Sequence, residues 1–325
     1  MGMPLNPLSE RLDVIMGLEP DAPALEFERR WYSWSALRRT ADDVARAIQS
    51  LGLGAGARVG VLLRNRPVPV GLALGVLRAE ACLVTVNPLL GRDRVRTDLH
   101  ELGLGLVAGE PGDLAELVDA RVAAHTATLA LADLGGDAQL VPPSEPTAAP
   151  SGLPDVAVRM PTRIDLTYTT LQRVMEGAKH YESNARADAR LRDGVVVVNS
   201  PMVHLGGLFR VIQAVTDGRR FALLERFQVD SWVDCVRRHQ PRTVSLVPAA
   251  LRMVLDADLD PADLSSVRSV VSGTAPLDPD LADAFTEKYG VPVLTSYAAT
   301  EFGGGVAGWN LADYQKYGRE KRGSV

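Results

Sequence analysis

Two short strings in the C-terminal third carry side chains that can do chemistry together. Ser272-Gly273-Thr274-Ala275-Pro276 follows an apolar run at 269–271, and Ser296-Tyr297-Ala298-Ala299-Thr300-Glu301 closes a second run at 292–297. The residues between them read as a helix over 279–289 that stops at Gly290. A strand–helix–strand unit makes its strands parallel neighbours, so small residues, a hydroxyl and a carboxylate arrive at one sheet edge, where open α/β sheets bind ligands. A third string, Met202-Val203-His204-Leu205-Gly206-Gly207, follows the four valines 195–198 and sets an imidazole beside two glycines. Taken singly, each residue also has a structural reading. His204 reads as a hydrogen-bonding loop histidine, Thr300 as an N-cap, Glu301 as a solvated helix-start carboxylate and Tyr297 as a half-buried strand residue. Gly303-Gly304-Gly305 reads as a flexible exit or as a close approach to a ligand.

The elements that must position these strings alternate in type. Ser33 is a candidate N-cap for a helix with Trp34, Leu37, Ala41, Val44, Ala45 and Ile48 on one face, ended by Gly52. The run RVGVLL at 58–63 reads as a buried parallel strand, Pro67 opens the next helix, and residues 82–86 form another strand ending in Asn87-Pro88. A helix over 92–102, a strand over 104–107, and a helix and strand between 113 and 131 continue the series. Residues 140–154 hold five prolines without periodicity and read as a connector. Beyond it come a strand at 163–168, a helix at 171–187, the valine strand, a helix at 208–215, a strand at 220–224, a helix at 229–239, a strand at 243–247 and a helix from Pro248. This alternation predicts an α/β protein of two βα-layered subdomains with mainly parallel sheets packed together. The expected division is 1–153 for the first subdomain and 154–305 for the second, with 306–325 beginning a connection to further structure. Asp42-Asp43 and Arg237-Arg238 read as solvated helix faces.

Composition narrows the function classes. A formal net charge of −5 argues against a nucleic-acid surface. Cys82 and Cys235, the only cysteines, sit in apolar segments and read as buried thiols, which suits a cytoplasmic location. No apolar stretch approaches the roughly 20 residues of a membrane span, so a soluble protein is expected. Oligomeric state leaves no signal. Lysine occurs only at positions 179, 288, 316 and 321. No Gly-x-Gly-x-x-Gly opens a helix after the first strand, which disfavours a dinucleotide-dependent oxidoreductase.

PMVHLGGL (201–208), SGTAPL (272–277) and SYAATEF (296–302), in this order and with GVLRAEACLVTVNPLL (75–90) before them, resemble the acyl-adenylate-forming superfamily of acyl-CoA synthetases, luciferases and peptide-synthetase adenylation domains. The resemblance spans roughly 33–305. It implies the fold of that family's large N-terminal domain, with the barrel subdomain and C-terminal domain incomplete or absent. It also implies activation of a carboxylate, a fatty or aryl acid, by ATP with Mg2+ to acyl-AMP and pyrophosphate, followed by transfer to CoA. The nucleotide-site residues implied are Gly273, Thr274, Ala275 and Pro276 as one wall of the adenine slot, with Ser296, Tyr297 and Ala298 beside it. Thr300 would hydrogen-bond the α-phosphate and Glu301 would bind the metal. His204 would stand where the acyl and nucleotide sites meet, and His204, Gly206, Gly207 and Gly303 would line the acyl pocket, with Ser245-Leu246-Val247 as further candidate walls.

One departure stands out. The family's phosphate loop, rich in Ser, Thr and Gly and ending in Pro-Lys-Gly, should begin near Thr169, yet no glycine or lysine occurs from 156 to 176. Backbone N–H groups cradle phosphates only where glycines permit it. Either the chain lacks the loop, or mobile residues are left out at this joint; a continuous chain from 165 to 174 excludes the latter. A true lack favours an alternative, a non-catalytic nucleotide- or acyl-binding relative. The lysine that assists adenylation in the family has no counterpart among the four present.

Overall fold

The computed structural model describes residues 6–145, 152–181 and 189–325, with side chains given except at 177–181. Part of the proline-rich connector, the end of the helix expected to reach 187 and the side chain of Lys179 lie outside the described residues.

The N-terminal segment, given no structure in the sequence reading, forms α1 (Pro7–Gly17) and the antiparallel hairpin β1 (Pro23–Phe27) and β2 (Arg30–Ser33). Asn6 caps α1, its side chain accepting from the Leu8 N–H. Then α2 (Trp34–Ser50) begins as expected, with the Ser33 hydroxyl accepting from the Ala36 N–H. The series continues through β3 (Arg58–Leu62), α3 (Pro67–Arg78), β4 (Cys82–Val86), α4 (Arg92–Glu101), β5 (Leu106–Gly109), α5 (Pro111–Leu117), α6 (Ala120–His125), β6 (Ala127–Leu131) and β7 (Ala138–Val141). After the connector come β8 (Val156–Arg159), β9 (Asp165–Thr167), α7 (Tyr168–Tyr181), β10 (Arg192–Val198), α8 (Leu205–Thr216), β11 (Arg219–Leu223) and α9 (Val229–His239). The last third holds β12 (Thr243–Ser245), α10 (Pro248–Asp256), β13 (Ser269–Ser272), α11 (Pro279–Tyr289), β14 (Val293–Ala299), β15 (Gly304–Gly308) and α12 (Leu311–Tyr317).

The strands form three sheets, of orders β7-β6-β5-β3-β4-β8-β9, β10-β11-β1-β2 and β12-β13-β14-β15. Their interiors are parallel and their antiparallel pairs lie at edges. Strand pairing crosses the 153/154 boundary. β8 and β9, beyond the connector, complete the first sheet beside β4, while β1, from the N-terminus, pairs in parallel with β11. One core is shared accordingly: Leu12, Trp34, Leu74 and Leu83 are buried in the same cluster as Leu171, Val198, Leu208 and Phe221. A second cluster, with Trp232, Leu251, Val270 and Phe285, fills the space between the third sheet and helices α9 to α11. Hydrophobic burial, which follows adjacency in space and not order in the chain, draws the N-terminal hairpin and the β8–β9 hairpin away from their sequence neighbours.

Residues 306–325, expected to begin a connection to further structure, are themselves ordered into secondary structure. β15 returns antiparallel along β14, Asn310 caps α12, and the tail folds back, where the Thr295 hydroxyl and the Trp309 indole N–H both donate to the Ser324 carbonyl at 2.9 and 3.0 Å. Arg322 pairs with Asp280 and Asp283 of α11.

Candidate active site

The two chemistry-bearing strings meet because β13 and β14 are parallel neighbours, with Ser272 opposite Thr295. Past Ser272 the chain turns through Gly273 and Thr274, the latter at φ 69°. A Cβ on Gly273 would lie 2.6 Å from Ser296 Oγ and 3.0 Å from the Ser296 carbonyl oxygen, so glycine is what lets the turn close on β14. Thr274, Ala275 and Pro276 are exposed beyond it, as are Tyr297 and Ala298. The rings of Tyr297 and Phe302 stand 6.2 Å apart and are 53% and 51% exposed. An uncovered aromatic pair beside a turn of small residues suits a flat, partly apolar ligand.

Thr300, Glu301 and Phe302 form one 3-10 turn, closed by the Gly303 N–H donating to the Thr300 carbonyl at 3.0 Å. Ala299, not Thr300, holds the N-cap position, so the Thr300 hydroxyl is not spent on capping. Glu301 is exposed and has no ion-pair partner among the described residues. No cluster of three or more metal-ligating side chains occurs among the described residues. A single free carboxylate nevertheless fits Mg2+, which takes one or two carboxylates, with substrate phosphates and waters completing its shell.

Gly303 does not face a pocket, contrary to expectation. It is buried at φ 75°, and an added Cβ would lie 2.5 Å from Thr170 Cγ2; on Gly304 it would lie 2.6 Å from Val174 Cγ1. The Thr300–Glu301 turn thus leans on α7. Nor are these glycines a flexible exit, since Gly304 begins β15.

His204 sits at the end of the loop after β10 and is the N-cap residue of α8, which starts at Leu205 and not at Leu208. Its carbonyl accepts from the Gly207 and Leu208 N–H groups at 3.1 Å, while its exposed imidazole makes no capping bond. Gly206 faces open space. Gly207 is buried, and a Cβ there would fall 2.3 Å from the Pro201 carbonyl oxygen, so this glycine serves the helix start and opens no acyl space. Of the proposed acyl-pocket residues, only His204 and Gly206 face outward. They stand on the second sheet, whose β10 lies beside β12 of the third.

No glycine-rich loop stands between β9 and α7, where the family's phosphate loop is expected. β8 and β9 are joined by a tight turn in which the Met160 N–H donates to the Ile164 carbonyl and the Arg163 N–H to the Met160 carbonyl, both at 2.9 Å. β9 then passes without a break into α7, where the Thr170 N–H donates to Thr167 Oγ1 at 3.0 Å. The buried Tyr168 hydroxyl lies 3.0 and 2.9 Å from the Leu77 and Ala81 carbonyls and holds this junction against α3.

A cleft lies away from the motif strings. A cavity of about 480 Å3 separates the ends of β1 and β11 from α9, lined by Glu26, Arg29, Glu225, Asp234, Cys235 and Arg238. Arg238, expected on a solvated face, instead reaches the buried Glu26 at 2.6 Å, and His239 Nε2 meets the other Glu26 oxygen at 2.7 Å. Burial pulls the His239 pKa down against the attraction of Glu26. Sequence reasoning missed this cluster because Glu26 and Arg238 stand 212 residues apart.

Comparison with known proteins agrees with the motifs. The chain is 27% identical over 296 residues to 4-coumarate–CoA ligase 3 of Oryza sativa subsp. japonica, covering 84% of this chain and 52% of that protein. It is 25% identical over 317 residues to indoleacetate–CoA ligase of Aromatoleum aromaticum, covering 90% and 60%. The chain therefore spans little more than half the length of these curated relatives. Among solved structures, a benzoate CoA ligase from Burkholderia xenovorans LB400 superposes with a TM-score of 0.76 at 19% identity, over 94% of this chain and 63% of that one. ATP-bound MatB from Rhodopseudomonas palustris gives 0.73 at 21%, over 92% and 61%. These likenesses establish the α/β architecture. The profile of the AMP-binding enzymes matches residues 15–325, and the chain belongs to that family.

Proposed function

We propose that this chain forms the nucleotide-binding part of an acid–thiol ligase: a carboxylate oxygen attacks the α-phosphorus of ATP, pyrophosphate leaves, and the acyl-AMP is then attacked at its carbonyl by the CoA thiol, expelling AMP. The observation that carries this reading is the closure of Gly273 on Ser296, which sets the turn and the Ser296–Glu301 string on one sheet edge. In it, Gly273, Thr274, Ala275 and Pro276 flank the adenine, Ser296 and Ala298 shape the opposite rim, and Tyr297 with Phe302 borders the purine. The Thr300 hydroxyl, free of capping, donates to the α-phosphate, and Glu301 holds Mg2+. The metal, when bound, offsets phosphate charge as pyrophosphate departs. His204 stands over the carboxyl carbon and Gly206 leaves room for the acyl group, a fatty or aryl acid. Two free buried thiols and the lack, among the described residues, of any helix long and apolar enough to cross a membrane suit a cytoplasmic setting.

The direct run of β9 into α7 favours a second reading, a relative that binds nucleotide or acyl groups without turnover. Pyrophosphate release from ATP, measured across a panel of fatty and aryl carboxylates, separates the two. Release that is lost in Glu301→Gln with the fold intact supports the ligase; ATP binding with no release from any acid supports the second reading. Release undiminished in Glu301→Gln removes Glu301 from the site.

A further inference from the structure

The loop that carries His204 is held by a residue far away in sequence. Asn65 lies just past the C-terminal end of β3, the central strand of the first sheet, and is 5% exposed. Its side-chain amide donates to the Ser200 carbonyl at 2.9 Å and the Leu224 carbonyl at 3.1 Å, and its Oδ1 accepts from the Met202 N–H at 2.8 Å. Two carbonyls face the nitrogen and one N–H faces the oxygen, so only one orientation of the amide satisfies the site.

The base of this side chain is itself clamped. Arg64 makes a two-pronged contact with Asp113 at 2.8 and 2.9 Å, and Arg66 bridges Glu225 and Glu110 at 2.7 and 3.1 Å. Downstream of the three amide bonds, little is left to vary. The His204 N–H donates to the Pro201 carbonyl at 3.1 Å, and Gly207 abuts that same carbonyl group. The imidazole makes no bond to its own helix start, so the loop sets the Cα–Cβ direction from which the ring projects.

We infer that Asn65 is a positioning residue: its amide fixes residues 200–204 to the first sheet and thereby sets the placement of the His204 imidazole. The inference rests on the reading of His204 given above for its catalytic meaning, but its structural part stands apart from turnover. In the sequence Asn65 stands between Arg64 and Arg66, in a short polar run between an apolar strand and a helix-opening proline, where nothing marks it as buried.

The test uses the 325-residue chain and two readouts. Amide hydrogen exchange, followed by mass spectrometry, is expected to rise at least tenfold over residues 200–208 in Asn65→Ala, with exchange in α11 within twofold of the parent. Unchanged exchange at 200–208, or an equal rise in α11, overturns the inference whether or not the protein has ligase activity. Where pyrophosphate release and thioester formation are measurable, Asn65→Ala should lower kcat for thioester formation at least tenfold at a nearly constant KM for ATP, in keeping with losses of about 10²-fold for a 1 Å misplacement. In a His204→Ala background the same change should have no further effect; losses that multiply in the double variant refute action through His204. Asn65→Asp covers the case in which the alanine variant does not fold. Its protonated carboxyl can accept from Met202 and donate to one carbonyl, so its activity and loop protection relative to the parent should recover as pH falls. A ratio that stays flat counts against the proposed bonding. Absence of turnover in the parent chain, by contrast, sinks the ligase reading and leaves the exchange result to decide the role of Asn65.

Discussion

Replacing Gly303 by alanine tests how the Thr300–Glu301 turn is seated. Two costs add at this position. The backbone is left-handed, at φ 75°, where an L-residue costs roughly 1–2 kcal/mol. The new methyl would also lie 2.5 Å from Thr170 Cγ2, and forcing a methyl into a packed site costs about 1–3 kcal/mol. Their sum is about 2–5 kcal/mol. Gly290→Ala is the control, since its φ of 69° is nearly the same and nothing lies within 4 Å of the added carbon. It should cost only the backbone share, roughly 1–2 kcal/mol. The packing share is then isolated by Thr170→Ser, which deletes Cγ2 and keeps the hydroxyl that meets Thr167 Oγ1 at 2.9 Å. Alone it should cost about 1 kcal/mol; combined with Gly303→Ala it should recover most of the clash, a coupling of about 1–3 kcal/mol. Urea and thermal denaturation of the four variants give these differences. If Gly303→Ala is no worse than Gly290→Ala, or if Thr170→Ser gives no relief, the turn is not seated on α7 as described.

His204→Ala should reduce acyl transfer to CoA more than ATP binding, read from thioester formation against pyrophosphate release and the KM for ATP; unchanged kinetics would return His204 to a helix-start role. The thiols give a pH prediction. Burial pushes Cys82 from an ordinary 9.0 up to about 12 and Cys235 up to about 11, so at pH 8 the thiolate fractions are roughly 10⁻⁴ and 10⁻³, from differences of four and three pH units. Native-state alkylation by iodoacetamide at pH 8 should therefore be slower by orders of magnitude than in urea. Because the folded values are raised, the stability linked to these thiols is complete below pH 9 and is lost as pH rises toward 11–12, a trend that denaturation midpoints between pH 8 and 11 would reveal. Rapid labelling of the folded protein at pH 8 would contradict the burial of both groups.

Much of the local structure was legible because it is decided locally. The helices Val229–His239 and Pro279–Tyr289 and the strand Cys82–Val86 fall where apolar periodicity, Pro at a helix start and Gly290 at a helix end place them. Ser33 caps α2 for the same reason. The hairpin β1–β2 gave no clear signal, since β1 buries Ala24, Leu25 and Glu26 in succession without alternation and its partner β11 lies nearly 200 residues away. β15 was hidden by its glycines, which are poor strand formers; Gly304 fits against α7 and Gly308 against β14.

The candidate site divides along the same line. Residue types and their order in PMVHLGGL, SGTAPL and SYAATEF determined the family, because a chemistry that needs a close-approach turn, a hydroxyl and a carboxylate leaves its mark in composition over a few residues. The sequence also showed that glycine is missing where phosphate would be cradled. Only the tertiary structure decided what each glycine is for: Gly273 admits β14, Gly303 admits α7, Gly207 admits the Pro201 carbonyl, and Gly206 alone of the supposed acyl-pocket glycines is open. It also decided that residues 156–181 belong with the first sheet, and that Asn65 reaches across to hold the His204 loop. The reason is physical. A strand or a cap is set by neighbours within a few residues, whereas the space around a Cα and the partner of a buried amide are set by whichever segments the packing brings alongside.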